Sequence, residues 1–241
     1  MTIDVALSPA EIALLPARDL SNTLCVVFDV LRATSSMITA LAHGAREIHP
    51  VRTIEEAHAL KAELPDAILA GERHGDAIEG FDLGNSPLEY REAVGGRAII
   101  TTTTNGTMAL CGCRAAADCF VGALLNLDAL AHAIVARAPG SALLVCAGTF
   151  ETFALEDALG AGLLIAQLVR SRVHVSLTDA ALAVQSLADH TADFASLLRK
   201  TRNGRLLIEK GRAAEVEWCA QRSQYNVVGF MDSSVIRPLP Q

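Results

Sequence analysis

The sequence predicts an α/β protein, in which a mostly parallel sheet or sheets are flanked by helices and followed by a helix-rich C-terminal part. Short apolar strands alternate with helices of about ten residues up to residue 147, as in parallel sheets covered on both faces. Beyond Glu151 the pattern becomes almost wholly helical. A hydrophobic content of 51% in 241 residues is ample for a globular core.

The alternating elements occupy the first 150 residues. Alternating or continuous apolar runs predict strands at 3–7, 24–28, 47–51, 67–70, 97–101, 117–121 and 142–147. Apolar residues at helical spacing predict helices at 34–43, after Thr53, after Gly106 and at about 127–137. Ser8 with Glu11, and Thr53 with Glu56, form capping boxes that indicate two helix starts.

Residues 71–96 interrupt this alternation. The segment is rich in glycine, charged residues and turn residues, and it is long for a loop inside a compact domain. The apolar residues embedded in it, including Phe81, Leu83 and Tyr90, favour an ordered loop over a disordered one. Loops of this length are commonly functional.

After Gly148 the sequence predicts helices at 151–169 and 179–187 and several short helices within 192–220. The stretch QYNVVGF, residues 224–230, predicts a last strand. The whole chain fits a single α/β unit over residues 1–241. It equally fits two lobes with a boundary near 122–150, or one sheet with a helical cap.

Charge and hydropathy exclude several classes of partner. The chain has 27 acidic and 20 basic residues, a net charge of −7, which argues against a broad nucleic-acid or anionic membrane surface. The most apolar stretch is interrupted by charged residues, so no membrane helix is predicted. An N-terminus without a basic flank or cleavage signal predicts a cytoplasmic protein. The high apolar content fits a homo-oligomer interface as well as a well-packed monomer.

The six cysteines, at positions 25, 111, 113, 119, 146 and 219, show neither a CxxC pair nor the spacing of a zinc site. Most lie in apolar surroundings. We therefore expect buried, reduced thiols rather than a metal site or a catalytic cysteine.

The stretch LCVVFDVLRATSS, residues 24–36, places a carboxylate, a guanidinium and several hydroxyls at the end of an apolar strand. Ligands of open α/β sheets bind at such carboxyl ends, and this set of groups suits a metal and a phosphate. Aspartate-nucleophile phosphatases need a second Asp where Leu31 stands, so that class is excluded. Asp29 is then a metal ligand, a nucleophile served by another acid, or simply the cap of the next helix.

A second candidate is TTTTNGT, residues 101–107, which offers hydroxyls, an amide and a glycine at a predicted helix start. Free backbone N–H groups and the helix dipole favour an anion at that position. The same residues also fit an ordinary strand followed by an Asn-Gly turn.

Further charged residues stand at other predicted strand ends and helix starts. Glu72 and Arg73 directly follow the strand at 67–70. Glu156 and Asp157 begin a helix, where they either complement the helix dipole or bind Mg²⁺, which prefers carboxylate oxygens. Asn85 and Ser86 lie in the long loop, where a bare turn is the alternative to a binding role.

Taken together, the motifs DVLRATSS, AGER, GFDLGNSP and TTTTNGT, with the Glu156-Asp157 helix and its Gly-Ala-Gly, resemble the 2-phosphosulfolactate phosphatase (ComB-like) family. The order and spacing agree from about residue 22 to residue 165. The resemblance implies the ComB-like α/β fold peculiar to this family. It also implies Mg²⁺-dependent hydrolysis of 2-phospho-3-sulfolactate to sulfolactate and phosphate, a reaction of coenzyme M biosynthesis.

The residues that match the family's motifs define the expected site. Among the matching residues, we expect Asp29, Arg32 and Glu72 to be catalytic on chemical grounds. The matching positions expected to bind substrate are Arg73, Thr34, Ser35, Asn85, Ser86, Thr103, Asn105 and Gly106.

Physical chemistry suggests how these residues divide the work. We expect Asp29 and Asp157, with Glu156 as the alternate, to bind Mg²⁺, and Arg32 to hold the phosphoryl oxygens with Ser35 and the Asn105-Gly106 turn. The forked donors of Arg73 match a sulfonate or a carboxylate. Another small phosphorylated acid as substrate, or a non-catalytic anion-binding protein with the same fold, is the competing hypothesis.

Overall fold

The computed structural model describes residues 1–171 and 174–240, and one sheet runs through the described part of the chain. Its eleven strands are β1 (Thr2–Ala6), β2 (Thr23–Phe28), β3 (Glu47–Pro50), β4 (Ile68–Arg73), β5 (Asp76–Ala77), β6 (Ala98–Thr102), β7 (Asp118–Gly122), β8 (Ser141–Cys146), β9 (Ser176–Leu177), β10 (Gly229–Asp232) and β11 (Val235–Pro238). Their order in the sheet is β5-β4-β6-β3-β11-β10-β7-β2-β8-β1-β9.

Ten helices accompany these strands within the described residues. They are α1 (Pro9–Ile12), α2 (Ala33–Ala42), α3 (Ile54–Glu63), α4 (Gly106–Gly112), α5 (Leu127–Arg137), α6 (Leu155–Arg170), α7 (Asp179–Asp189), α8 (Phe194–Lys200), α9 (Arg202–Glu209) and α10 (Ala213–Cys219). Short 3₁₀ helices lie at Leu15–Ala17, Pro87–Arg91 and Leu124–Asn126. The predicted fold class, a mostly parallel sheet flanked by helices with a helical C-terminal part, is confirmed.

The sheet consists of two parallel blocks joined by a C-terminal hairpin. One block is β4-β6-β3 and the other is β7-β2-β8-β1, and all pairs within each block are parallel. The hairpin β10–β11 pairs antiparallel with β7 on one side and with β3 on the other. Three successive antiparallel pairings therefore set the two blocks in opposite directions within the sheet.

Helices cover both faces of the sheet and enclose its apolar side chains. On one face α5, α6 and α7 pack over a core that includes Phe28, Phe120 and Leu164. On the other face α2 and α4 pack over a core that includes Val27, Ile38 and Ile99. All six cysteines are buried and free of disulfide bonds, as the sequence predicts. The described residues contain no helix that combines the length and apolar character needed to span a membrane.

Three element boundaries differ from the prediction by three residues or more. Strand β4 continues through Glu72 and Arg73, because these residues pair antiparallel with β5 instead of starting a loop. Helix α6 begins at Leu155 rather than at 151, because Thr149 and Thr152 close a turn through two mutual backbone hydrogen bonds of 2.8 and 3.0 Å. The last predicted strand is shifted as well, since 224–228 is not strand and the hairpin begins at Gly229.

Candidate active site

One pocket is lined by residues at the carboxyl ends of β2, β4, β6 and β8. We call the segments 29–32, 72–75, 103–106 and 147–152 the strand-end loops, the second of which includes the last two residues of β4. Helices α9 and α10 with the turn between them, residues 202–219, lie beside these loops and are called the α9–α10 segment. The pocket is lined by Asp29, Leu31, Arg32, Glu72, His74, Gly75, Asn85, Thr104, Asn105, Gly148, Thr149, Phe150, Asn203, Leu206 and Leu207.

Asp29 is the first residue after β2 and is 9% exposed, facing the pocket. Its backbone is fixed by Thr34, whose Oγ1 accepts the Asp29 N–H at 3.0 Å and donates to the Asp29 carbonyl at 2.9 Å. The Ala33 N–H donates to Oδ1 at 3.2 Å, while Oδ2 accepts no hydrogen bond from the described residues. A Cβ on Gly106 would lie 2.6 Å from Oδ2, so only glycine fits where α4 approaches the carboxylate.

The surroundings of Asp29 oppose its negative charge. Burial, together with the nearby carboxylates of Glu72 and Glu156, raises the pKa of Asp29 to about 7, although the Ala33 N–H and Arg32 act in the opposite direction. Several carboxylates that share a buried region repel one another, and a cation among them relieves that repulsion. The electrostatics at Asp29 therefore favour a bound cation.

Arg32 lies on the pocket wall with its guanidinium partly committed to protein acceptors. Its Nη1 donates to Glu215 Oε2 at 2.5 Å and its Nη2 donates to the Gly75 carbonyl at 2.9 Å. A guanidinium has five N–H donors, and the other N–H groups of Arg32 find no acceptor among the described residues. These groups are the ones that can bind an anion.

Glu72 and Asp157 each bind two backbone N–H groups from different loops. Glu72 accepts from Gly75 and from Thr104, both at 2.7 Å. Asp157 accepts from Val30 at 2.8 Å and from Gly148 at 3.0 Å. With both oxygens of each carboxylate occupied in this way, these two residues tie neighbouring strand-end loops together.

Burial raises the pKa of Asp157 well above its usual range, and the carboxylates of Asp29 and Glu156 act in the same direction. Glu156, the other acidic residue at the start of α6, is 2% exposed and does not line the pocket. It accepts from Asn203 Nδ2 at 2.6 Å, and the same amide nitrogen donates to Thr149 Oγ1 at 2.6 Å. Burial also raises the pKa of Glu156, against the effect of the Asn203 amide.

Two predicted amides lie at the pocket with different partners. Asn105 exchanges hydrogen bonds with the backbone of Phe150, donating to its carbonyl at 3.0 Å and accepting from its N–H at 3.1 Å. Its side chain therefore shapes the loop after β8. The Asn85 side chain makes no hydrogen bond to the described residues, so its amide is available to a ligand.

Six predicted binding residues are not part of the pocket lining: Thr34, Ser35, Arg73, Ser86, Thr103 and Gly106. The hydroxyl of Ser35 donates to the Val30 carbonyl at 2.8 Å, and Thr103 Oγ1 accepts the Thr107 N–H at 3.1 Å. Arg73 donates to the Glu72 carbonyl at 2.8 Å and to Thr102 Oγ1 at 2.9 Å. These contacts hold the local backbone, and those of Ser35 and Thr103 occupy the hydroxyls that were expected to meet the substrate.

The α9–α10 segment is the part of the pocket that sequence reasoning missed. It contributes Asn203, Leu206 and Leu207 to the pocket surface and Glu215 to the ion pair with Arg32. One signal pointed to Glu215: it stands four residues before Cys219, on the buried face of a short amphipathic helix. A carboxylate on such a face needs a buried partner.

The donor chemistry of the pocket fits Mg²⁺. Within the described residues, no three side chains of His, Cys, Asp or Glu form a ready metal-binding group. Mg²⁺ is commonly held by only one or two carboxylates, with waters and substrate phosphate oxygens completing its shell. Asp29 is suited to this role, because it faces the pocket and one of its oxygens is free of hydrogen bonds.

The whole chain is similar to proteins of one family. A family model described as 2-phosphosulpholactate phosphatase matches residues 11–234. A protein of Clostridium acetobutylicum named "Probable 2-phosphosulfolactate phosphatase" is 36% identical over 95% of this chain and 96% of its own length. A protein with the same name from Carboxydothermus hydrogenoformans is 38% identical over 95% of this chain and 92% of its own length. Another, from Clostridium tetani, is 33% identical over 98% of this chain and 100% of its own length. The resemblance seen in the motifs is thus confirmed, and the chain belongs to the 2-phosphosulfolactate phosphatase family.

Proposed function

We propose that this protein is a phosphatase that hydrolyses 2-phospho-3-sulfolactate to 3-sulfolactate and phosphate with the help of Mg²⁺. One observation carries the proposal: a chain that matches this family over nearly its whole length has Asp29 and Arg32 side by side on one pocket. A carboxylate for a metal and a guanidinium for an anion are what hydrolysis of an anionic phosphate ester requires.

The charge of the pocket supports a role for Mg²⁺ in this proposal. Its lining contains the carboxylates of Asp29 and Glu72 and a single guanidinium, that of Arg32. A substrate with phosphate, sulfonate and carboxylate groups is strongly anionic, so these side chains alone leave it in an unfavourable field. Asp29 would hold the metal, with Glu72 as the other carboxylate of the pocket lining, and the ion would supply Lewis-acid stabilisation of the phosphoryl oxygens.

The contacts of the other residues support a division of roles within this proposal. Arg32 binds the phosphoryl oxygens through its uncommitted N–H groups, and Asn85 offers an amide to the remainder of the substrate. Glu72 and Asp157 orient the strand-end loops, because both oxygens of each already accept backbone N–H groups. In place of the metal-binding role that the sequence suggests for Asp157, we therefore propose a positioning role.

The experiment that tests the function is a substrate panel. Purified protein is incubated with 2-phospho-3-sulfolactate and with phosphate esters of other small acids, each with and without Mg²⁺, and released phosphate is measured. We expect release from the sulfonated ester to be preferred and to depend on Mg²⁺. If a phosphorylated acid without the sulfonate is preferred, that acid becomes the proposed substrate. If no ester is hydrolysed, the non-catalytic anion-binding hypothesis is supported instead.

The route of attack is a separate question for the same assay. Either water attacks the phosphorus directly or Asp29 forms an acyl-phosphate that water then hydrolyses. Acid quenching of a single turnover followed by borohydride reduction distinguishes the two routes, because only an aspartyl-phosphate is reduced, which converts Asp29 to homoserine. Mass spectrometry of the peptide that contains Asp29 reads out the result.

A further inference from the structure

The ion pair between Arg32 and Glu215 links a strand-end loop to the α9–α10 segment. The Nη1···Oε2 distance is 2.5 Å, and the two side chains are 3% and 10% exposed. The partners are 183 positions apart in the chain. Removing two charges from water costs free energy, so apolar residues commonly replace such a pair without loss of stability. A role in fixing geometry explains the pair better than a role in stability.

The partners of Arg32 are themselves held in place. The Gly75 carbonyl that accepts from Arg32 Nη2 also accepts from Arg212 Nη1 at 2.5 Å. The Gly75 N–H donates to Glu72 Oε2 at 2.7 Å. Both terminal nitrogens of the guanidinium are thus bound to fixed acceptors, and this fixes the plane of the group.

We propose that Glu215 is a positioning residue, which holds the Arg32 guanidinium so that its remaining N–H groups face the anion in the pocket. The inference rests on the proposed function, in which Arg32 binds the phosphoryl oxygens. An arginine side chain that is ordered before the ligand arrives loses less rotamer freedom on binding than a free one. Glu215 acts through Arg32 and does not line the pocket itself.

Orientation and charge predict opposite effects when Glu215 is removed. The negative charge of Glu215 weakens the attraction of Arg32 for an anion, so loss of that charge alone strengthens anion binding. Loss of the fixed orientation weakens it. Whether phosphate affinity rises or falls therefore shows whether the charge of Glu215 or its orientation of Arg32 has the larger effect.

The test is the affinity for inorganic phosphate, measured by calorimetry in the presence of Mg²⁺ on the full-length protein. We expect Glu215→Ala to weaken phosphate binding about tenfold, because orientation outweighs charge. Glu215→Gln keeps an acceptor oxygen at the same place without the charge, so it should bind phosphate at least as tightly as the wild type. Glu217→Ala, which removes an exposed carboxylate of the same helix α10, serves as the control and should leave binding unchanged.

A double-variant comparison separates positioning from a general structural defect. In an Arg32→Ala background, Glu215→Ala should cause no further loss of phosphate affinity, since the group it orients is gone. An additional loss there, or unchanged or tighter binding by Glu215→Ala alone, overturns the inference. If Glu215→Ala does not fold, the phosphate affinity of Glu215→Gln tests the inference. Weaker phosphate binding by Glu215→Gln than by the wild type overturns the positioning role.

The function and the inference can fail independently. Hydrolysis by the wild type with equal phosphate affinities in all single variants refutes the role of Glu215 and leaves the phosphatase intact. A wild type that hydrolyses no ester but shows the expected order of phosphate affinities refutes the phosphatase and supports the positioning role. A wild type that binds no phosphate refutes the positioning role.

Discussion

The strand-end loops and the α9–α10 segment meet at the same pocket but hold their polar groups by different means. Glu72 in the loops and Asp157 at the start of α6 are buried, and each binds backbone N–H groups of the loops with both oxygens. In the segment, Lys210 and Arg212 are about a quarter to a third exposed and reach their partners through long side chains. Glu215 is the exception, since it is buried against Arg32.

This difference indicates where rigidity lies in the pocket. Backbone N–H groups have fixed positions, so a carboxylate that binds two of them fixes both loops at once. Partly exposed lysine and arginine side chains keep more freedom than buried groups and contribute less to stability. We therefore expect changes at the buried carboxylates around the strand-end loops to be severe, and changes at the partly exposed ion pairs of the α9–α10 segment to be mild.

The largest effect is expected for Asp29→Asn. The change removes the charge of the pocket-facing carboxylate while keeping its shape, so phosphate release should fall by about a thousandfold. Initial rates with a saturating phosphate ester and Mg²⁺ measure it. Asp66→Asn, at an exposed position outside the pocket lining, is the matched control and should retain full activity. Unchanged Mg²⁺-dependent release by Asp29→Asn would remove Asp29 from the mechanism.

The next effect concerns stability and is expected for Asp157→Asn. Asparagine turns one acceptor into an NH₂ donor that faces the N–H of Val30 or Gly148, which leaves a buried donor unpaired. We expect the free energy of unfolding to fall by about 3 kcal/mol. Urea denaturation followed by circular dichroism measures this loss.

Asp189→Asn, at an exposed position at the end of α7, is the control for this change and should unfold at the wild-type urea concentration. If Asp157→Asn also unfolds at the wild-type urea concentration, Asp157 does not tie the loops together. Its place at the start of α6 would then reflect only the helix dipole, as the sequence alone also allows.

Much of the strand-end loops could be predicted from the sequence, because each follows a recognisable apolar strand. Asp29 and Asn105 were identified in this way, and both lie at the pocket. Whether a hydroxyl faces a ligand or its own backbone was not visible, since Ser and Thr bind nearby carbonyl and N–H groups in either case. Ser35 and Thr103 were assigned to the substrate for this reason, yet both contact the backbone.

The α9–α10 segment resisted prediction for a different reason. Its helices are visible as a periodic pattern, but a helix surface does not say which distant loop it meets. Glu215 finds its partner 183 residues away, and Asn203 reaches Glu156 across 47 residues. The C-terminal hairpin posed the same difficulty, because its place between β3 and β7 depends on pairings with strands far earlier in the chain.

A smaller effect is expected for Gly106→Ala, which tests how closely the strand-end loops pack. The added Cβ would lie 2.6 Å from Asp29 Oδ2 and 2.7 Å from Ala33 Cβ, so one of these groups must shift. We expect kcat/KM to fall about tenfold, because displacement of a reacting group by even a fraction of an ångström is costly. Gly140→Ala, where a Cβ meets nothing within 4 Å, is the matched control. Equal kcat/KM values for the two variants would show that Asp29 tolerates displacement.

The smallest effect is expected for Asp76→Asn, at the tip of the β4–β5 hairpin. Asp76 accepts from Lys210 at 2.7 Å and lies 3.7 Å from Arg212, but its side chain is 62% exposed. Water and salt screen such a pair, and the Lys210 and Arg212 contacts to the backbone carbonyls of the hairpin tip remain. KM and kcat should therefore stay within about twofold of the wild type. A tenfold rise in KM would mean that the exposed ion pairs of the α9–α10 segment position the substrate-binding loop as strongly as the buried carboxylates do. The two regions would then differ in how deeply their charged groups are buried, but not in how strongly those groups position the substrate.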